Sequence, residues 1–307
     1  MEYRQFGNTA LKVSAIGLGC SRLGGNLRGG NKQESIKMLN LAFDSGVNFY
    51  DTADSYGQGQ SETLLGQTFK HHRDRVFFAS KAGYSLSTLG KIATQFKPIL
   101  KPIVRSLKSF RATPINSVEP NPDNTSTVDP RAAFLRQNFD ADYLTKAIEG
   151  SLKRLQTDYL DLFQLHSPSG AILNTASVWE TLEKLKAQGK IRYYGVSCDT
   201  IEDALICLQQ PGLSSIQLEI NWLQSEAIER VLPIAKQKAV AIVARQPFAS
   251  GNLFANPDLI PHSLQHDEKN PYQSALRYVL QQQGVATVIP GASSCAHLQT
   301  NLATLSE

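Results

Sequence analysis

Eight short apolar segments recur along this chain of 307 residues, and a segment with apolar residues at helical spacing follows each of them. The short segments have the length of buried strands. Strands and helices that alternate in this way need parallel pairing with right-handed crossovers. The predicted strands occupy residues 15–20, 47–53, 76–83, 159–166, 191–198, 214–221, 241–248 and 286–291.

The segments between these strands predict the helices of the fold. Ser61 and the glutamate after it are typical of a helix start, and glycine or proline closes several of the other segments. The predicted helices occupy residues 33–46, 61–69, 141–156, 175–190, 201–212, 226–239, 271–284 and 294–305.

Eight strand–helix repeats are the number that closes a (β/α)8 barrel, an α/β fold with a parallel eight-stranded sheet. An open doubly wound sheet is the alternative, but no complete G-x-G-x-x-G follows a strand; residues 17–22 carry Arg22 in place of the third glycine. We therefore predict one barrel domain over residues 1–307, although two domains also suit this length.

The regular repeat is interrupted by a long segment at about 83–140. Its first part carries one stripe of apolar residues beside lysines and arginines, while its second part has the composition of a mobile loop. Because it follows the third strand on the catalytic face, we expect a lid over the substrate. A packed decoration and a membrane-surface helix are the alternatives.

The composition is that of an ordinary globular protein, with 31 Lys+Arg against 27 Asp+Glu and a formal net charge of +4. Such a small excess does not call for a nucleic acid partner. No apolar run is long enough for a membrane span, and the N-terminal MEYRQFGNTALKVS lacks the apolar core of a signal peptide. We expect a cytoplasmic protein without a metal site, because the cysteines are widely separated: Cys20, Cys198, Cys207 and Cys295.

Polar side chains end the predicted strands, where the active site of such a barrel lies. Asp51 ends the second strand, Lys81 the third and His166 the fourth, and Tyr56 follows Asp51 in a loop. Each alone has an ordinary interpretation, as a cap, a surface residue or a structural histidine. Together they suit a proton donor: Lys81 would lower the pKa of Tyr56 by about 1 to 3 units, and Asp51 would orient Lys81.

Four ordered motifs in this region resemble those of the aldo-keto reductases: GVNFYDTADSYGQGQSETLLG, FFASKAG, TDYLDLFQLHSP and GVSC. The similarity runs from the N-terminal YRQFGNTALKVSAIGLGC to the C-terminal IPGASSCAHLQTNL. It implies a catalytic tetrad of Asp51, Tyr56, Lys81 and His166, with Tyr56 as the general acid. It also implies NADPH, or NADH, bound across the barrel mouth, with hydride passing to the carbonyl carbon of a small-molecule substrate.

The resemblance also implies which residues contact the cofactor, and at three of these positions this sequence differs from the family pattern. Cys198 replaces the usual asparagine, Arg245 stands where an aromatic residue commonly stacks on the nicotinamide, and His297 replaces a basic residue near the adenosine phosphate. A guanidinium plane can also stack on a ring. The implied cofactor-binding residues are Ser197, Cys198, Gln217, Arg245, Gln246, Pro247, Phe248, Gly251, Leu253, Gly291, Ser293, His297 and Asn301.

The predicted function is reduction of an aldehyde or ketone, or oxidation of the matching alcohol. A cofactor-binding regulatory or scaffold protein is the alternative from another class, with a protein partner that the sequence does not identify. A metal-dependent barrel hydrolase is a weaker third, because the strand ends present one carboxylate and one histidine instead of a ligand cluster.

Overall fold

A computed structural model describes residues 1–23, 31–86, 135–255 and 271–305 of the chain. Eight parallel strands form one sheet in the order in which they occur along the chain. Parallel bridges between Ile16 and Val288 and between Gly19 and Gly291 join its first strand to its last. The predicted (β/α)8 barrel is therefore confirmed.

The barrel strands are β3 (Leu18–Gly19), β4 (Phe49–Asp51), β5 (Phe77–Ala82), β8 (Leu160–His166), β9 (Ile191–Ser197), β10 (Ser215–Glu219), β11 (Ala241–Arg245) and β12 (Val285–Ile289). Two short antiparallel pairs lie outside this sheet: β1 (Tyr3–Gln5) with β2 (Lys12–Ser14), and β6 (Tyr84–Leu86) with β7 (Leu135–Gln137). Neither pair follows from the alternation in the sequence.

Each predicted helix has a counterpart in the structure. They are α1 (Lys32–Asp44), α2 (Gln60–Phe69), α3 (Ala141–Leu155), α4 (Gly170–Leu173), α5 (Ala176–Ala187), α6 (Ile201–Cys207), α7 (Glu226–Arg230), α8 (Leu232–Gln237), α9 (Asn252–Ala255), α10 (Pro271–Leu280) and α11 (Cys295–Ala303).

Two details of the helix predictions are wrong. The helix expected over 226–239 is two helices that meet at Val231, because Pro233 near the start of α8 has no N–H with which to continue the first one. Ser61 does not start α2, since the residue before this helix is Gly59 in the left-handed region at φ 84°. The Ser61 side chain is fully buried.

The N-terminal hairpin closes one end of the barrel. Phe6 is fully buried, and its ring lies 5.9 Å from that of Phe49 and 5.1 Å from that of Phe77. Phe49 and Phe77 are the first residues of β4 and β5. Because apolar rings fill the end where the strands begin, a ligand must bind at the end where they finish.

The chain divides into two compact units, one of residues 1–83 and 139–307 and one of residues 84–138. In the second unit, the described elements are β6 and β7, which pair from Tyr84 opposite Gln137 to Leu86 opposite Leu135. Residues 87–134 lie outside the described residues. They carry almost all of the predicted apolar stripe, the predicted loop and the predicted lid.

No helix among the described residues is long and apolar enough to span a membrane.

Candidate active site at the open end of the barrel

The four residues predicted to act together meet at the end of the barrel where the strands finish. The Lys81 Nζ lies 2.7 Å from the Asp51 carboxylate and donates to the Thr52 carbonyl at 2.9 Å. It also lies 5.1 Å from the centroid of the Tyr56 ring. The Tyr56 and His166 rings meet edge to face, with 5.9 Å between their centroids. Their convergence is a finding of the structure.

Burial and charge together fix the state of Lys81, whose side chain is 1% exposed. Burial alone disfavours the ammonium, but the Asp51 carboxylate and the Tyr56 hydroxyl outweigh it and raise the pKa of Lys81. The lysine is therefore a cation throughout the physiological range. Gln217 supports the arrangement, because its Nε2 donates to Oδ1 of this carboxylate at 2.9 Å.

Tyr56 remains protonated, because the predicted lowering of its pKa by Lys81 is outweighed by burial. Burial raises the pKa of the phenol and outweighs the opposite effects of Lys81 and Arg245. The sequence places a cation beside the phenol, but it does not show how completely the barrel removes water from it. The phenol is therefore in the form that can donate a proton, and the nearby Lys81 ammonium favours the phenolate left after donation.

His166 is neutral. Burial, with the positive charges of Lys81 and Arg245, lowers the pKa of the imidazole to about 3. A neutral ring can donate a hydrogen bond to a carbonyl oxygen without adding a charge beside it.

Glycines allow the turn that carries Tyr56. Gly57 and Gly59 have φ angles of 59° and 84°, in the left-handed region. A Cβ on Gly59 would lie 2.5 Å from Cδ of Arg154. That arginine pairs at 2.6 Å with the fully buried Glu62, which also accepts a 2.5 Å hydrogen bond from Ser80 beside Lys81. The turn is thus packed against the strand that supplies the lysine.

A cleft of about 700 Å³ opens above these residues, a size suited to a cofactor or small ligand. Most of the predicted site residues line it: Asp51, Tyr56, His166, Ser197, Gln217, Arg245, Gln246, Pro247, Phe248, Gly251, Gly291, Ser293 and His297.

Four predicted site residues do not contribute to the cleft lining. Lys81 lies behind Asp51 and Tyr56 and acts on the cleft through them. Cys198 is 1% exposed, and its Sγ lies 3.8 Å from that of Cys207. Leu253 packs in an apolar cluster, and Asn301 is 5% exposed. Contact of the last three with a cofactor stays a prediction.

The sequence reasoning missed several residues that line the same cleft, namely Gly19, Ser21, Arg22, Ser167, Asp199, Ser250, Tyr272 and Ile289. Ser21, Arg22, Ser167 and Asp199 come within three residues of a strand end, so a search extended by one turn past each strand would have found them. Tyr272 begins a helix far from any strand end and carries no such signal.

Arg245 is held by an ion pair across the cleft wall. Its Nη2 donates to the Asp199 carboxylate at 2.9 Å and to the Cys198 carbonyl at 3.1 Å. The side-chain amide of Gln246 is oriented with its nitrogen toward Glu219 and its oxygen toward Arg245. In this orientation the nitrogen donates to the Glu219 carboxylate at 2.6 Å, and the oxygen accepts from Arg245 Nη1 at 3.0 Å. These contacts fix the guanidinium beside the nicotinamide contacts implied by the resemblance.

The first turn of α11 forms the far end of the cleft. Ser294 caps the helix by accepting from the His297 backbone N–H at 3.2 Å, and the Ser293 hydroxyl lies 2.8 Å from His297 Nδ1. A helix N-terminus with hydroxyl and imidazole groups suits a phosphate.

Across the described residues, no group of three or more His, Cys, Asp or Glu side chains is placed to hold a metal ion. The cysteines described as thiols are Cys20, Cys198, Cys207 and Cys295.

Comparison with known proteins decides the family. The model of the aldo/keto reductase family matches residues 15–270 and 262–307. The chain belongs to the aldo/keto reductase family. Members of this family are NAD(P)H-dependent oxidoreductases, so the predicted class of enzyme is confirmed.

Individual relatives of this aldo/keto reductase are similar over nearly their whole length. The uncharacterized oxidoreductase YqkF of Bacillus subtilis (strain 168) is 28% identical over 326 residues, which cover 98% of this chain and 90% of the relative. The holo form of aldo-keto reductase AKR11C1 from Bacillus halodurans superimposes with a TM-score of 0.77 at 26% identity, covering 100% and 91% of the two chains.

An aldo-keto reductase from Klebsiella pneumoniae, solved in complex with NADPH, superimposes with a TM-score of 0.70 at 26% identity. The superposition covers 100% of this chain and 91% of that one.

Proposed function

We propose that this chain reduces an aldehyde or ketone with NADPH, or oxidises the matching alcohol, and that Tyr56 is the proton donor. The observation that carries the proposal is the buried Lys81 ammonium, which is fixed by Asp51 at 2.7 Å and lies 5.1 Å from the centroid of the Tyr56 ring. A bound nicotinamide cofactor supplies the hydride in this chemistry. The chain's own residues supply the position of the carbonyl and the proton.

The proton transfer follows from the charge that develops on the substrate. A carbonyl oxygen becomes an alkoxide as its carbon is reduced, so a donor must lie within hydrogen-bond distance of that oxygen. Tyr56 and the neutral His166 meet at the cleft wall and can bracket one oxygen atom. Tyr56 gives up its proton, and the Lys81 ammonium stabilises the phenolate that remains.

The residues of the cleft fit the cofactor in order along it. Ser197 and Gln217 offer a hydroxyl and an amide for the carboxamide, while Arg245 presents a guanidinium plane to the ring. The backbone between Gln246 and Gly251 would hold the pyrophosphate, and the start of α11, with His297, would hold the adenosine phosphate; these residues line the cleft. A family relative solved with NADPH supports this choice of cofactor, and NADH is the second candidate.

We further propose a single catalytic domain with the inserted segment at about 83–140, a cytoplasmic location and no nucleic acid partner. Buried free thiols and the small net charge of +4 support these proposals.

Turnover tests the proposal. The purified protein with NADPH should oxidise many equivalents of cofactor only when a reactive aldehyde is added, measured at 340 nm. With NADPH deuterated at the transferred position, the deuterium should appear on the carbinol carbon of the alcohol. Tight binding of NADPH without turnover of any aldehyde or ketone would instead identify a regulatory or scaffold protein.

A further inference from the structure

A short turn beside Tyr56 carries a cation that the proposed reaction does not use. Residues Cys20 to Leu23 form a tight turn, closed by a hydrogen bond from the Leu23 N–H to the Cys20 carbonyl at 3.1 Å. Ser21 and Arg22 are its two central residues, and both are exposed and line the cleft. The turn therefore brings Arg22 into the lining of the cleft that also contains Tyr56.

Both ends of this turn are anchored to the site. The Cys20 N–H donates to the Asp51 carbonyl at 2.8 Å. At the other end, the Leu23 carbonyl oxygen lies 3.6 Å from the place of a Cβ on Gly57, the residue after Tyr56. The position of Arg22 is thus tied to the strand end and to the turn that carry the acid.

The buried Ser61 completes the anchoring. Its hydroxyl donates to the Cys20 carbonyl at 2.9 Å and accepts from the Thr52 hydroxyl at 2.9 Å. Because Thr52 follows Asp51 directly, a continuous chain of hydrogen bonds links the base of the site to the Arg22 turn. A backbone held in this way loses little entropy when a ligand binds.

The charges around the cleft leave Arg22 without a counterion. Asp51 faces Lys81, and Asp199 faces Arg245, each pair at less than 3 Å. Within the described ranges, no carboxylate pairs with Arg22. The imidazole of His166 adds no charge, since burial lowers its pKa to about 3. Counted over the described residues, the lining of the cleft together with Lys81 therefore carries one excess positive charge.

We infer that the preferred substrates carry an anionic group, a carboxylate in the simplest case, which Arg22 binds while the carbonyl lies at Tyr56. The inference rests on the proposed function and adds a substrate class to it. A guanidinium binds a carboxylate through two parallel hydrogen bonds and is always charged, so it selects a carboxylate over a neutral group of the same shape.

A pair of matched aldehydes tests this inference. The pair is 4-carboxybenzaldehyde and methyl 4-formylbenzoate, which differ in the charge at one end. With the wild-type protein, kcat/KM should be about 10- to 100-fold higher for the carboxylate, the value of one charged hydrogen-bonded contact. Arg22→Gln should remove this preference and leave the ester unchanged, whereas Arg22→Lys should keep part of it.

Two further measurements separate the possible causes. Arg230→Gln removes an exposed arginine that pairs with Glu202 and Glu226 outside the cleft, so it should leave the preference unchanged. The Kd for NADPH should be the same in Arg22→Gln as in the wild type. An equal loss for both aldehydes, or a loss of NADPH affinity that accounts for the whole effect, would overturn the inference and place Arg22 at the cofactor.

Absence of turnover with either aldehyde and with every other carbonyl compound would overturn the proposed function and this inference with it. Turnover of the ester at a rate equal to that of the carboxylate would overturn the inference alone.

Discussion

Lys81 and Asp51 form an ion pair with an N···O distance of 2.7 Å, and their side chains are 1% and 5% exposed. Two charges removed from water in this way depend on one another, because either one alone would be buried without compensation. The pair lies on neighbouring strands, β4 and β5, so the barrel itself fixes its geometry. Its consequence for catalysis is a cation held permanently beside the Tyr56 ring.

The free energy of unfolding should show that the charges of Lys81 and Asp51 depend on one another. Asp51→Asn leaves the ammonium unpaired and should lower the free energy of unfolding by about 3 to 5 kcal/mol. Adding Lys81→Met should restore most of that loss, while turnover stays abolished in both variants. Denaturant unfolding and kcat measure the two effects. As a control, Glu149→Gln breaks the exposed pair with Lys190 and should cost about 1 kcal/mol or less. If the double variant lost as much free energy of unfolding as Asp51→Asn and Lys81→Met lose together when made separately, that result would contradict this account.

The pH dependence of reduction should be flat. The folded protein holds His166 neutral, since its pKa is lowered to about 3, and burial raises the pKa of Tyr56 above its ordinary value. Neither group changes charge between about pH 5 and about pH 9, so kcat/KM should not change with pH in that window. Suppose that kcat/KM of the wild type changes with pH near the ordinary histidine pKa and that this change disappears in His166→Gln. That result would show that the imidazole does titrate.

Asp54 should make the protein less stable as pH rises. Burial and the nearby Glu62 raise the pKa of its carboxyl from 3.8 to about 7. Between these values the folded protein keeps a proton that the unfolded chain has released, so the free energy of unfolding falls with rising pH through this window. The full cost is present above about pH 7.

Asp54→Asn removes that cost. We expect the variant to be more stable than the wild type by about 1 to 3 kcal/mol at pH 8 and nearly unchanged at about pH 3, below both pKa values, as measured by denaturant unfolding. Asp74→Asn changes an exposed carboxyl and should have the same small effect at both values. A stabilisation by Asp54→Asn that does not depend on pH would refute the assignment.

His297 should limit the preference for NADPH over NADH. An arginine there would add a permanent charge at the start of α11, so His297→Arg should tighten NADPH binding about 5- to 20-fold and leave NADH unchanged. Nicotinamide fluorescence gives both Kd values. His71→Arg adds the same side chain at an exposed position outside the cleft lining and should change neither. Equal tightening of both cofactors would place His297 away from the 2′-phosphate.

The strand–helix repeat and the resemblance were sufficient to predict the barrel and the place where Asp51, Tyr56, Lys81 and His166 meet. Parallel strands end at one face, so residues at consecutive strand ends become neighbours whatever the details of packing. The pairing of β6 with β7 was not predictable, because it joins segments separated by the whole inserted stretch.

Other errors came from burial, which a local pattern does not show. Ser61 has the sequence context of a helix cap, yet its hydroxyl is buried and supports the Arg22 turn. The lowered pKa expected for Tyr56 considered the charge of Lys81 but not the loss of water around the phenol. The Arg22 turn itself was missed, because only residues at the strand ends were considered.

The most direct test of the central claim is the effect of Tyr56→Phe on reduction and on cofactor binding. Loss of the proton donor should lower kcat/KM by about 100- to 10,000-fold, while the Kd for NADPH stays within about twofold, because the change affects only the charge of the transition state. Tyr193→Phe removes a phenolic hydroxyl near the N-terminal hairpin, outside the cleft lining, and should leave both values unchanged. A Tyr56→Phe variant with the kcat of the wild type would contradict the account.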